Sequence, residues 1–288
     1  NTFIGHDSGV SNTTGKYNTF VGYESGESGT SGLYNVAIGY QAGRTSISGQ
    51  YNTLVGAQSG RFCDGTRNVA IGGGAYEQGV RGDYGVYVGD RAGYNVDGIG
   101  KNTFVGGESG FNNTSGNDGV FVGFQSGYSN TTGTCNTFIG DISGYTNTTT
   151  SANTFLGFSA GRSNTGNFNT FLGINSGRKN TANQNVFIGF NSGFVNIAGS
   201  DNTFVGANSG AANTSGVGNS FFGKSSGVAN TIGSSNTFIG GDAGVSNTVA
   251  SYNVFVGKNA GRGNINGESN IFIGAEAGYS NVTGYGNT

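Results

Sequence analysis

A seventeen-residue period runs through this chain from its first residue onward, and a period that short leaves few folds open. The sequence opens NTFIGHDSGVSNTTGKY, continues NTFVGYESGESGTSGLY, then NVAIGYQAGRTSISGQY. Units begin at residues 1, 18, 35, 52, 68, 85, 102, 119, 136, 153, 169, 185, 202, 219, 236, 253 and 270. Fourteen units have 17 residues, those beginning at 52, 153 and 169 have 16, and Asn287 and Thr288 open another. A helix pair needs roughly thirty residues or more, and no apolar spacing of three and four supports an amphipathic helix. What remains is one strand per coil, or two, with turns between. The expected fold is an all-β parallel β-solenoid of seventeen coils, one continuous repeat domain over residues 1–288. Stacked at strand spacing, the coils would make a rod of roughly 80 Å.

Within the unit, position 5 is Gly in every repeat, and position 9 is Gly everywhere except Tyr76. Position 1 is Asn except at Gly85 and Gly119, and position 8 is always Ser or Ala. Glycines at 5 and 9 supply a tight turn, and the Asn, Thr and Gly of positions 12 to 16 supply a second. Stacked position-1 asparagines can exchange amide hydrogen bonds along the axis, offsetting their burial.

Positions 2 to 4 form a short β-branched and aromatic run in which 2 and 4 share one face and 3 takes the other. Positions 2 and 4 are expected to face inward, because both hold mostly moderate β-branched residues and the small position 8 implies a thin core. Phe3, Phe20, Phe104, Phe121, Phe138, Phe155, Phe171, Phe187, Phe204, Phe221, Phe238, Phe255 and Phe272 would then form an outward apolar stripe. A stripe that long exceeds what a monomer leaves wet, so it becomes an assembly stripe against copies of the chain. The competing arrangement has Phe in the core, with 2 and 4 outside. The exceptions at position 3 are Ala37, Leu54, Ala70 and Tyr87.

Tyr94, Phe111, Tyr128 and Tyr145 occupy position 10 of four consecutive units. They read as a surface contact for carbohydrate or protein, or as cross-coil stacking that supports the sheet. Tyr17, Tyr34 and Tyr51 repeat the pattern at position 17. Asn-x-Ser/Thr triplets at Asn12, Asn113, Asn130, Asn147, Asn213 and Asn281 would be glycan acceptors if exposed.

Charge excludes more than it suggests. Lys and Arg total 13 against 15 Asp and Glu, with no basic stripe to neutralise a nucleic-acid backbone. No segment is apolar for long enough to span a bilayer as a helix. His6 is the only histidine, and beside Asp7 it reads as half of a surface pair. Glu24, Glu108, Asp242 and Glu276 sit at position 7 of separate units and do not converge as a catalytic pair would. No cofactor and no enzyme activity are expected, because repetition gives each coil the same chemistry. Cys63 and Cys135 lie more than four coil steps apart, about 20 Å at strand spacing, too far for a disulfide within the stack.

The units NVAIGYQAG at 35–43 and NVAIGGGA at 68–75 resemble the head repeats of trimeric autotransporter adhesins. The NTFIG-type units are similar to repeats of bacterial surface and phage tail-fibre proteins. The resemblance implies left-handed parallel β-rolls packed three about an axis, an extracellular or cell-surface location, and adhesion or host contact. The chain departs from that pattern in its longer unit and in Phe rather than Ala at position 3. It starts on the first residue of a unit and stops two residues into another, which reads as a segment of a longer repeat protein. The leading expectation is a structural extracellular fibre or adhesin rod that forms homo-oligomers or filaments, laterally through the Phe row and end to end. The alternatives are a fibre segment that binds a glycan or host-surface receptor, and an ice-binding face built on the position-13 threonines Thr13, Thr114, Thr131, Thr148 and Thr214.

Overall fold

The structure is a computed structural model that describes residues 1–98 and 100–288. It is a parallel β-solenoid with one three-residue strand per coil, and the coils fall into two compact units, Asn1–Thr150 and Ser151–Thr288. The first unit carries β1 (Thr2–Ile4), β2 (Thr19–Val21), β3 (Val36–Ile38), β4 (Thr53–Val55), β5 (Val69–Ile71), β6 (Val86–Val88), β7 (Thr103–Val105), β8 (Val120–Val122) and β9 (Thr137–Ile139). The second carries β10 (Thr154–Leu156), β11 (Thr170–Leu172), β12 (Val186–Ile188), β13 (Thr203–Val205), β14 (Ser220–Phe222), β15 (Thr237–Ile239), β16 (Val254–Val256) and β17 (Ile271–Ile273). Within each unit every strand pairs in parallel with the next in the chain, equivalent positions opposite one another. Phe3 faces Phe20 and Phe104 faces Phe121 in the first unit, and Phe204 faces Phe221 in the second.

The strands face the other way from the sequence expectation. Phe104, Phe121 and Phe138 of the first unit, and Phe155, Phe171, Phe187, Phe204, Phe221, Phe238 and Phe255 of the second, are completely buried. Phe20 and Phe272 are nearly so, and Phe3, with a coil on one side only, is 37% exposed. The thirteen phenylalanines are therefore the core and not an assembly stripe. Positions 2 and 4 are half-buried or exposed in every strand.

The physical reason lies at positions 8 and 9. The ring lies over the glycine at position 9: a Cβ built on Gly110 would come within 2.4 Å of the Phe104 ring, and one on Gly210 within 2.4 Å of Phe204. Glycine on the opposite wall makes the room that a small position 8 seemed to deny. Position 8 is small for another reason, since it is buried and its serines must find an acceptor inside. Ser109 Oγ donates to the Phe121 carbonyl at 3.0 Å, and Ser192 Oγ to that of Phe204 at 3.0 Å.

Stacked at one per coil, the rings form a column within each unit, with centroids 4.6 and 4.9 Å apart from Phe104 to Phe138 in the first and between 4.8 and 5.2 Å from Phe155 to Phe272 in the second. Burying each such side chain contributes about 1.5–3 kcal/mol. Where position 3 is Ala70, the ring comes from the opposite wall: Tyr76 replaces the position-9 glycine and stacks on Tyr87 at 4.6 Å. Ala37 has no such substitute, and a cavity of about 10 Å³ opens beside it, lined by Phe20, Gly43 and Leu54 among others.

Two buried asparagine columns close the corners. At position 1 the side-chain Oδ1 accepts from the backbone N–H of the next coil's Asn, as Asn185 Oδ1 does from Asn202 N at 3.0 Å. Its Nδ2 donates to the carbonyl at position 15 of its own coil, as Asn202 Nδ2 does to Gly216 O at 2.8 Å. These bonds run mainly from side chain to backbone, where the sequence suggested amide to amide. The amide-to-amide column exists at position 12: Asn196, Asn213, Asn230, Asn247 and Asn264 each donate Nδ2 to the Oδ1 of the preceding coil's Asn at 2.6–3.0 Å.

The turn at positions 5 to 9 needs positive φ three times. Gly206 has φ 136°, and a Cβ there would lie 2.4 Å from the Gly223 carbonyl oxygen of the next coil. Position 9 is left-handed too, and so is position 7, where the chain uses Glu24, Gln125, Asn208 and even Ile142. Cys63 fills a position-12 site, is fully buried, and its thiol is pushed up to about 12 by loss of solvent. It and the exposed Cys135 are both free, as their separation requires.

Candidate interaction surface

Each coil offers solvent a strand face, a turn face and columns of side chains that repeat along the axis. The predicted position-10 contact is a real column. Tyr94, Phe111, Tyr128 and Tyr145 stack at 5.0, 5.2 and 5.2 Å with planes within 10° of parallel, and all four are half-buried. Stacking turns each ring's face to its neighbours and leaves only edges to solvent. A sugar packs on ring faces, so this column supports the coil stack and offers a glycan little. His6, Tyr23 and Tyr40 stack likewise at position 6, at 5.2 and 5.6 Å, and His6 Nδ1 meets Asp7 Oδ2 at 3.0 Å as expected.

The Asn-x-Ser/Thr triplets are not exposed acceptors. Asn113, Asn130, Asn147 and Asn213 belong to the position-12 column and are completely or almost completely buried, out of reach of a glycosylating enzyme. Asn12 and Asn281, on the outermost coils, are half-buried. Thr13, Thr114, Thr131 and Thr214, expected on an ice-binding face, spend their hydroxyl protons inside the protein. Thr114, Thr131 and Thr214 each donate Oγ1 to the next coil's carbonyl at 3.0–3.1 Å.

The ion pairs gather on the turn face. Arg44 bridges Glu24 at 3.0 Å and Glu27 at 2.5 Å, and Arg91 pairs with Asp90 and Glu108. A hydrogen bond from Gln41 at 2.8 Å, helped by Tyr23 and Arg44, holds the Glu24 carboxyl below the usual carboxylate range. Among the described residues no cluster of three His, Cys, Asp or Glu could hold a metal ion, and no helix is long and apolar enough to cross a membrane.

The strand face is the surface that the sequence reading turned inward. Position 2 presents Thr, Val, Ser or Ile and position 4 presents Ile, Val, Leu or Phe, without one charged residue in seventeen coils. In the second unit the apolar strip widens to position 6, where Phe158, Ile174 and Phe190 are about half exposed beside Leu156 and Leu172. Because the pairing is in register, the strip is a regular array with a period of about 4.8 Å along the axis. Positions 2 and 4 avoid charge as strictly as a core does. Comparison of the chain with protein families and with characterised proteins finds no match.

Proposed function

We propose that this chain is a structural, non-enzymatic element of an extracellular or cell-surface fibre, and that copies associate through the strand face of positions 2 and 4. The observation that carries the reading is the uncharged, β-branched, in-register array just described. An uncharged face with Ile, Val, Leu or Phe at position 4 of each coil is more than a monomer usually leaves wet. The surface that matches a repeat of about 4.8 Å over many coils is another β-solenoid with the same repeat, and the simplest source is a second copy. Small β-branched side chains on two such faces can interdigitate with the sheets about 10 Å apart. One unit's face, roughly 40 Å by 14 Å from strand dimensions, would bury on the order of 1,000 Å² in total when paired, about the threshold for a specific interface.

Location outside the cell rests on the resemblance of NVAIGYQAG to adhesin head repeats. The absence of catalysis rests on repetition, which gives successive coils equivalent side chains where an active site needs a convergence of different ones. Cryo-electron microscopy of the purified chain over a range of concentrations tests the association. Side-by-side solenoids with apposed strand faces are expected. Isolated solenoids with bare strand faces at every concentration would overturn it.

A further inference from the structure

Three successive coils of the first unit carry an exposed tyrosine at position 17, the longest run of adjacent exposed phenols among the stacked columns. Tyr17, Tyr34 and Tyr51 are 64%, 45% and 48% exposed. Their rings stack at 4.7 and 4.9 Å with planes 15° and 9° apart. Each sits at a left-handed backbone position, with φ of 62°, 58° and 57°, which throws the ring outward in the same direction from every coil. Rings related by translation keep equivalent atoms about as far apart as their centroids, so the carbons ortho to neighbouring phenol oxygens face each other across the stack. Arg67 ends the run: its guanidinium lies 5.4 Å from Tyr51 on one side and 5.2 Å from Tyr84 on the other. It therefore separates Tyr84 from the three adjacent phenols.

We propose that Tyr17, Tyr34 and Tyr51 form an oxidative cross-linking site at which adjacent coils become joined by dityrosine. The co-reactants are hydrogen peroxide and a haem peroxidase acting from solution. Each of two neighbouring phenols gives up one electron and its phenolic proton. The two phenoxyl radicals join through a new carbon–carbon bond between ortho carbons, and each ring regains aromaticity by moving that carbon's hydrogen to its oxygen. Two hydrogens leave in total, and one peroxide is reduced to two waters. Exposure admits the oxidant, and stacking supplies a partner ring without diffusion, so coupling within the molecule outruns coupling between molecules. Side-chain rotation is fast and closes the remaining distance. The consequence is a covalent staple between successive coils, useful to a load-bearing solenoid, but the chemistry does not depend on the strand face pairing copies.

The purified chain is treated with a haem peroxidase and hydrogen peroxide, denatured, and cut with trypsin. Lys16, Arg44 and Arg61 bound the diagnostic peptides, residues 17–44 and 45–61. A Tyr34–Tyr51 link joins these two peptides into a species two hydrogens lighter than their sum. The position-6 pair Tyr23 and Tyr40 cannot produce it, because both lie in the first peptide and the next residue of that column is Ala57. The joined peptide, with dityrosine fluorescence in the monomer fraction, is the expected result. Tyr34→Phe keeps the ring and the stack but removes the phenol, and should abolish the joined peptide. Tyr40→Phe should leave it in place. Tyr252 stands between Ser235 and Ser269 in the same column and has no ring to couple with, so it should remain uncoupled within the monomer. No joined peptide in the wild-type chain, an undiminished one in Tyr34→Phe, or dityrosine confined to covalent dimers would each overturn the proposal.

Discussion

At the scale of single residues, position in the coil outweighs residue type. Phe204 and Val205 are neighbours, but the first is completely buried and the second half-exposed. Phe204→Ala removes a ring from a close-packed column and should cost about 3–5 kcal/mol. Val205→Ala removes methyl groups that are partly in water and should cost less than about 1 kcal/mol. Urea denaturation of the two variants gives the ranking, and the opposite order would mean that the strands face the other way. That difference was the point least legible in the sequence. The small position 8 showed that the walls lie close, but not which residue of the far wall the ring meets. The informative signal was a coincidence within the chain. The one unit without glycine at position 9 has Tyr76 there, and the same unit has Ala70 in place of Phe. A ring and a glycine that exchange places are facing each other. Gly85 carries a similar message, since a Cβ there would lie 2.4 Å from the Tyr87 ring and hydroxyl.

At the scale of the coil, the exchange between Ala70 and Tyr76 makes a quantitative prediction. Tyr76→Gly alone leaves a ring-sized hole and should destabilise by about 3–5 kcal/mol. Ala70→Phe alone puts two rings where one fits and should cost about 1–3 kcal/mol. Together they rebuild the common coil, so the double variant should be far more stable than the sum of the singles allows, a coupling visible in a thermal double-mutant cycle. Additive losses would show that the two walls do not compensate. The turns themselves were legible: Gly at 5 and 9, and Asn with Gly in the second turn, follow from backbone geometry. The left-handed residues at positions 7 and 17 were not, because residues as different as Glu24, Ile142, Tyr51 and Cys135 occupy them. The position-12 asparagines would be glycan acceptors only if the turn held them out to solvent. Here the amide turns inward and donates to the coil before it.

At the scale of the molecule, repetition was enough to give the fold, and the outward surface follows only once the faces are assigned. A solenoid gathers stability from nearest-neighbour contacts, so the strand face is free to vary without loss of the core. It nevertheless stays uncharged through seventeen coils while charge is admitted freely at positions 6, 7 and 10. That contrast is what the proposed contact between copies rests on. The central claim is that this outward face holds copies together, and sedimentation velocity of Val205→Lys beside Ala212→Lys tests it most directly. Val205 lies on the strand face, and Ala212 lies at position 11, away from it. The account predicts that the wild-type chain and Ala212→Lys associate as concentration rises, while Val205→Lys sediments as a monomer with an unchanged thermal melt. Equal association of all three, or a wild-type chain that stays monomeric throughout, would contradict it.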